Sequence, residues 1–142
     1  AKEKLLGIGE WLDVNGEAIY GTRAWIHYGE GPSDTITLGA YSEFEGGSEA
    51  QYGNKDIRFT IKDNLLYAIF LGWPEGEAKI HSLRRFEEEL SIHWEEEEIK
   101  SIKMLGVDGN LEWVMTDDAL VIKTPEERPC KHAFVFKIER NL

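Results

Sequence analysis

The sequence predicts a mainly β protein, an antiparallel β-sandwich of Greek-key-like, immunoglobulin-like architecture, preceded by one N-terminal α-helix. Three observations carry this reading. Ile57, Phe59 and Ile61 alternate with Asp56, Arg58 and Thr60, the period-two pattern of a half-buried strand. Short apolar runs then recur to the end of the chain, separated by turn pairs such as Asp63-Asn64, Asp108-Gly109 and Asp117-Asp118. Ahead of them, Leu5, Ile8 and Leu12 fall near helical spacing.

Residues 1–20 read as a helix weakened by Gly7 and Gly9, with Leu5, Ile8, Trp11 and Leu12 as its apolar surface. Asn15-Gly16 stops or turns it, and Tyr20-Gly21-Thr22-Arg23 leaves it. Residues 26–55 are rich in Gly, Ser and Glu and read as long loops with one short strand around Thr35 to Leu38. After the Asp56–Ile61 strand, Leu65 to Leu71 is apolar on both faces, as a central strand would be. Trp73 to Glu77 turns, and Ala78 to His81 returns with Ala78 and Ile80 on one face. Leu83, Phe86 and Leu90 suggest a short helix in an excursion over 82–97, which ends in the acidic run Glu95 to Glu98. Later strands fit Ile99 to Leu105, Leu111 to Met115, Leu120 to Lys123 and Ala133 to Ile138, the Asp-Gly and Asp-Asp pairs being hairpin turns between them. The expected core is Ile57, Phe59, Tyr67, Ile69, Leu71, Leu111, Trp113, Ile122 and either Phe134 or Phe136.

A chain of 142 residues with 42% hydrophobic content and five tryptophans is enough for one domain with a real core. Its net charge of −11, from 27 acids against 16 bases, disfavours nucleic acid and anionic membrane surfaces, which need basic patches. No run approaches the roughly 18 apolar residues of a membrane span. One cysteine, Cys130, forms no internal disulfide and leaves the compartment open.

Several strings resemble glycoside hydrolase family 29, the α-L-fucosidases. Asn15 to Arg23 (NGEAIYGTR) followed by Trp25 is similar to the end of that family's catalytic barrel, with Ala24 where proline is common. Asp56 to Thr60 (DIRFT), Leu66 to Pro74 (LYAIFLGWP) and Pro129-Cys130-Lys131 are similar to its C-terminal β-sandwich, in the same order. The resemblance implies two parts: residues 1–23, the last barrel helix with its exit turn, and residues 24–142, an accessory sandwich. It also implies that the nucleophilic aspartate and acid/base glutamate lie upstream of Ala1, so that no catalytic residue is carried here. The whole enzyme would remove terminal α-L-fucose with retention, without metal or organic cofactor. This chain alone would be inactive, with the catalytic barrel as its partner and a second copy contacted through the N-terminal helix.

The residues themselves offer little further chemistry. His27, His81, His93 and His132 lack HxH or HxxxH spacing, and no G-x-S-x-G elbow or G-x-G-x-x-G loop is present. Cys130 reads as a small apolar side chain. Exposed flat rings are what a sugar stacks on. Trp11 belongs to the helix, and Trp25 is expected in a joint between domains. Trp73 and Trp113 suit the core or its edge. Trp94, between His93 and the glutamates, is the candidate carbohydrate contact, and a fucosylated glycan the candidate ligand of a carbohydrate-binding alternative.

Overall fold

The computed structural model describes residues 2–31, 53–83 and 98–141. Helix α1 spans Lys2–Asn15 and continues as a 3-10 turn over Gly16–Ala18. Asn15 leaves helical geometry at φ −115° and ψ 6°, and Gly16 O accepts from the amides of Ile19 and Tyr20 at 2.9 and 2.8 Å. A side chain at position 16 would sit 2.7 Å from the Tyr20 ring, so glycine lets the exit fold back on itself.

Eight strands follow among the described residues: β1 Arg23–Glu30, β2 Ile57–Lys62, β3 Leu65–Phe70, β4 Glu77–Ile80, β5 Ile99–Met104, β6 Trp113–Met115, β7 Leu120–Lys123 and β8 Phe134–Arg140. They form two antiparallel sheets, ordered β1-β2-β3-β8-β5 and β4-β7-β6. Asp63, at φ +53°, closes the tight β2–β3 hairpin, in which Lys62 faces Leu65. Thr116 N donates to Ala119 O at 2.9 Å, and Thr116 Oγ1 accepts from Asp118 and Ala119 amides, which fixes the β6–β7 hairpin at Asp117-Asp118.

The two-sided apolarity of β3 has a direct cause. Leu66, Ala68 and Phe70 face the space between the sheets, with Ile57, Phe59, Phe134, Phe136 and Ile138 beside them. Ala78, Ile80, Met115, Leu120 and Ile122 close that core from the smaller sheet. Tyr67 and Ile69 point the other way, into a second cluster with Ala18, Leu105 and Val135. Trp11, Leu65, Leu71 and Ala133 pack against this outer cluster. The expected core is therefore split: Tyr67, Ile69 and Leu71 lie under the helix, while Leu111 and Trp113 are half-buried against the sandwich interior. Both Phe134 and Phe136 are inside.

Three expectations are corrected. Arg23–Glu30 is a strand where residues from 26 onward were read as loop. Its signal was masked by Gly29, which is required because a side chain there would meet Ile57 O at 2.7 Å. The β1–β2 register also shifts between Ala24 and Gly29, an edge-strand irregularity that hides a period of two. Trp25 is a core residue, its ring 5.1 Å from Phe59 in a T-shaped contact, because β1 carries it inward. Asp108-Gly109 joins β5 to β6 across the two sheets rather than closing a hairpin, with Gly106 and Gly109 at φ +90° and +94°. His81–Leu83 form one 3-10 turn; the rest of the expected 82–97 excursion, and the strand expected at Thr35 to Leu38, lie outside the described residues.

Candidate functional site

The end of α1 and its 3-10 turn lie on the outer face of the five-stranded sheet, and most of the unusual chemistry gathers there. Trp11 Nε1 donates to Ala133 O at 2.9 Å, fixing the indole just before β8. Asn15, fully buried, donates from Nδ2 to Trp11 O and to Cys130 Sγ, both at 3.3 Å. The Cys130 thiol donates to Ala133 O at 3.1 Å. Burial pushes this thiol above its ordinary pKa, against the lowering effect of Asn15, which favours the protonated form. Thr60 Oγ1 reaches across from β2 to donate to Ala18 O at 2.7 Å.

A charged cluster seals the same joint. Tyr67 and Lys137 are directly opposed across β3 and β8, so their side chains share the helix-facing side. Tyr67 Oη donates to Glu17 Oε2 at 2.9 Å, and Lys137 Nζ lies 2.9 Å from the same oxygen. Burial alone would raise the Glu17 carboxyl, but the bonds from Lys137 and Tyr67, with Lys62 further off, hold it below its ordinary value. Burial, followed by the bond and charge of Glu17, drives Tyr67 the other way, well above the usual phenol range. Near neutral pH the carboxylate is fully ionised and the phenol fully protonated. Neither is poised to exchange a proton, and the trio acts as a fastener. Reasoning from spacing missed this cluster, because its members lie 50 and more residues apart in the chain.

Two surfaces remain open beside this joint. A cleft of about 520 Å³ separates α1, at Gly7, Glu10, Trp11 and Val14, from the loop 129–132. On another side of the helix Ile8 is 56% exposed, and past the helix end Ile19 and Tyr20 are 44% and 62% exposed. The apolar stripe expected from the sequence is thus divided. Trp11 docks on the sheet and Ile8 faces solvent; Leu12 is half-buried.

Trp94 and His93 lie outside the described residues. Trp73 is no open platform: Phe134 stands edge-on to it at 4.8 Å and the Arg128 guanidinium lies over its ring at 5.2 Å. Among the described residues, no three His, Cys, Asp or Glu side chains converge as metal ligands would.

Known proteins share this fold. Residues 51–139 match the family model described as the alpha-L-fucosidase C-terminal domain. Tissue alpha-L-fucosidase of Homo sapiens is 29% identical over 129 residues, and that of Rattus norvegicus 27% over 130; each match takes in 90% of this chain and 21% of the relative. The crystal structure of Thermotoga maritima alpha-fucosidase superposes with a TM-score of 0.63 at 27% identity, covering 96% of this chain and 26% of that one. The chain spans about a fifth of the length of the curated relatives it matches. A family model that covers well over half of the chain, a β-sandwich with the helix in front of it, and this likeness to a solved fucosidase agree: the chain belongs to the alpha-L-fucosidase C-terminal domain family.

Proposed function

We propose that this chain serves as the non-catalytic accessory domain of an α-L-fucosidase, bracing a catalytic barrel that removes terminal α-L-fucose with retention. In this reading residues 1–23 are the barrel's last helix and exit turn, and residues 24–142 the accessory sandwich. Retaining hydrolysis needs two carboxyl groups about 5–5.5 Å apart, one as nucleophile and one as acid/base. The resemblance puts both in the barrel, and the fastened state of Glu17 and Tyr67 supports leaving chemistry out of this domain.

One observation carries the reading: α1 uses Trp11 and Asn15 to hold the segment that enters β8 while Ile8, Ile19 and Tyr20 stay outside. Burying an Ile-sized side chain is worth about 1.5–3 kcal/mol, so this surface gains most by meeting another body. The barrel is that body here. A second copy would use the same residues.

The purified chain is expected to show no turnover of an aryl α-L-fucoside. Turnover that disappears with one Asp or Glu substitution in this chain would overturn the reading. Ile8→Ser should leave the chain's own unfolding within about 0.5 kcal/mol, as exposed positions generally do. In the enzyme carrying this segment, the same change should lower the melting temperature of the barrel. Loss of self-association in the isolated chain would instead assign the surface to a dimer.

A further inference from the structure

The cleft between α1 and the loop 129–132 has the composition of a small saccharide site, and we propose that it binds one neutral sugar unit of a fucosylated glycan. Trp11, Val14 and Pro129 are its apolar lining. Sugars present apolar C–H faces to aromatic rings, and this ring is already oriented by its bond to Ala133 O. Preorganisation of that kind lowers the ordering cost of binding. A side chain added at Gly106 would stand 2.7 Å from both Pro129 Cβ and Val14 Cγ1, so these two lining residues are closely packed from behind by Gly106.

The rim supplies both hydrogen-bonding senses. Glu10 accepts, Lys131 donates, and His132 does either according to its tautomer. Hydroxyl groups need donors and acceptors together, whereas an anionic ligand would meet Glu10 and a chain of net charge −11. A volume near 520 Å³ falls within the range of small-molecule sites.

Two local features border the cleft. Gly7 lies in the helix with nothing within 4 Å of where its side chain would start, although alanine there would favour the helix by about 1 kcal/mol. The glycine keeps the cleft mouth open. His132 holds φ +78° at the centre of a tight turn that Ala133 N closes on Lys131 O at 3.0 Å, which presents its ring at the rim. At 3.6 residues per turn Glu10 and Val14 lie roughly 120–160° round the helix from Ile8 and Leu12, and Trp11 about 60° from Ile8.

The choice of sugar rests on the fucosidase reading, while the cleft does not. The test is titration of the chain with methyl α-L-fucoside, followed at the Trp11 indole N–H by NMR. Saturable shifts are expected with a Kd of about 1 mM. Gly7→Leu fills the mouth without touching the core, and should weaken binding about tenfold or more with an unchanged or higher melting temperature. Glu10→Gln and His132→Ala should each weaken it severalfold, which keeps the test alive should the leucine variant misfold. No shift at 50-fold excess over about 1 mM, or equal binding by Gly7→Leu and both rim variants, overturns the proposal. Since the barrel contact is read from Ile8→Ser in the enzyme, failure there leaves this result standing, and the reverse holds.

Discussion

Glu17 and Tyr67 make the joint between helix and sheet sensitive to both ends of the pH scale. The Glu17 carboxyl is held below its ordinary 4.5, so the unfolded chain takes up its proton first as pH falls. Its contribution is complete above that value and disappears as pH drops through the lower folded value. With the Glu17 side chain 46% exposed, solvent screening limits that contribution to about 1 kcal/mol or less. Tyr67 has the opposite sign. Its folded pKa lies above the ordinary 10, so above that pH the unfolded state sheds a proton the folded state keeps, and stability falls. The Cys130 thiol, also raised, adds to the loss from about its ordinary 9 upward. Denaturant unfolding between pH 3 and 11 should show both limbs. Glu17→Gln should flatten the acid one, and Tyr67→Phe the alkaline one in part. Gly106 is the other residue with a sharp expectation. Alanine there takes on φ +90° and drives its methyl to 2.7 Å from Val14 and Pro129. A loss of about 1–3 kcal/mol should follow, with a helix displaced from its loop.

At the scale of elements, the strands were legible wherever burial alternates or runs unbroken. β2, β3, β4 and β7 follow from their apolar patterns alone, and β3 was placed as central because both its faces are apolar. What spacing could not convey is which interior each face serves. Tyr67 and Ile69 belong to the same unbroken run as Leu66 and Phe70, yet they lie beneath a helix rather than between sheets. β1 was illegible for a different reason: its glycine and register shift are demanded by neighbours distant in sequence. The helix surface was half legible. Leu5, Ile8, Trp11 and Leu12 were grouped by spacing, but a hydrogen bond to Ala133 selects Trp11 for the sheet, and no periodicity encodes that bond. Trp11→Ala should therefore loosen α1, seen as faster amide exchange from residues 8 to 15, while β2 and β3 keep their protection. Equal loss of protection in helix and strands would show that the helix is integral to the sandwich.

For the molecule as a whole, one hydrophobic cluster joins both sheets, so the sandwich should unfold in a single cooperative step. Ile122→Ala, at a fully buried position of the smaller sheet, should cost about 2–5 kcal/mol and shift every strand probe together. Separate transitions for the two sheets would contradict that unity. The candidate site was less legible than the fold, because its cleft is assembled from the first fourteen residues and a loop more than a hundred positions later. A last consequence concerns how β3 keeps its frame. In a strand with one wet face, slipping by one residue exposes apolar groups, and hydropathy alone forbids it. Here a slip would merely exchange one oily set for another: Leu66, Ala68 and Phe70 would move under the helix, and Tyr67 and Ile69 between the sheets. The penalty must come from shape and from the Tyr67 hydroxyl, which would be stranded away from Glu17. That single bond thus marks the reading frame of the strand, and a residue inserted beside Asp63 should be better tolerated once Tyr67→Phe removes the hydroxyl than while Tyr67 is present.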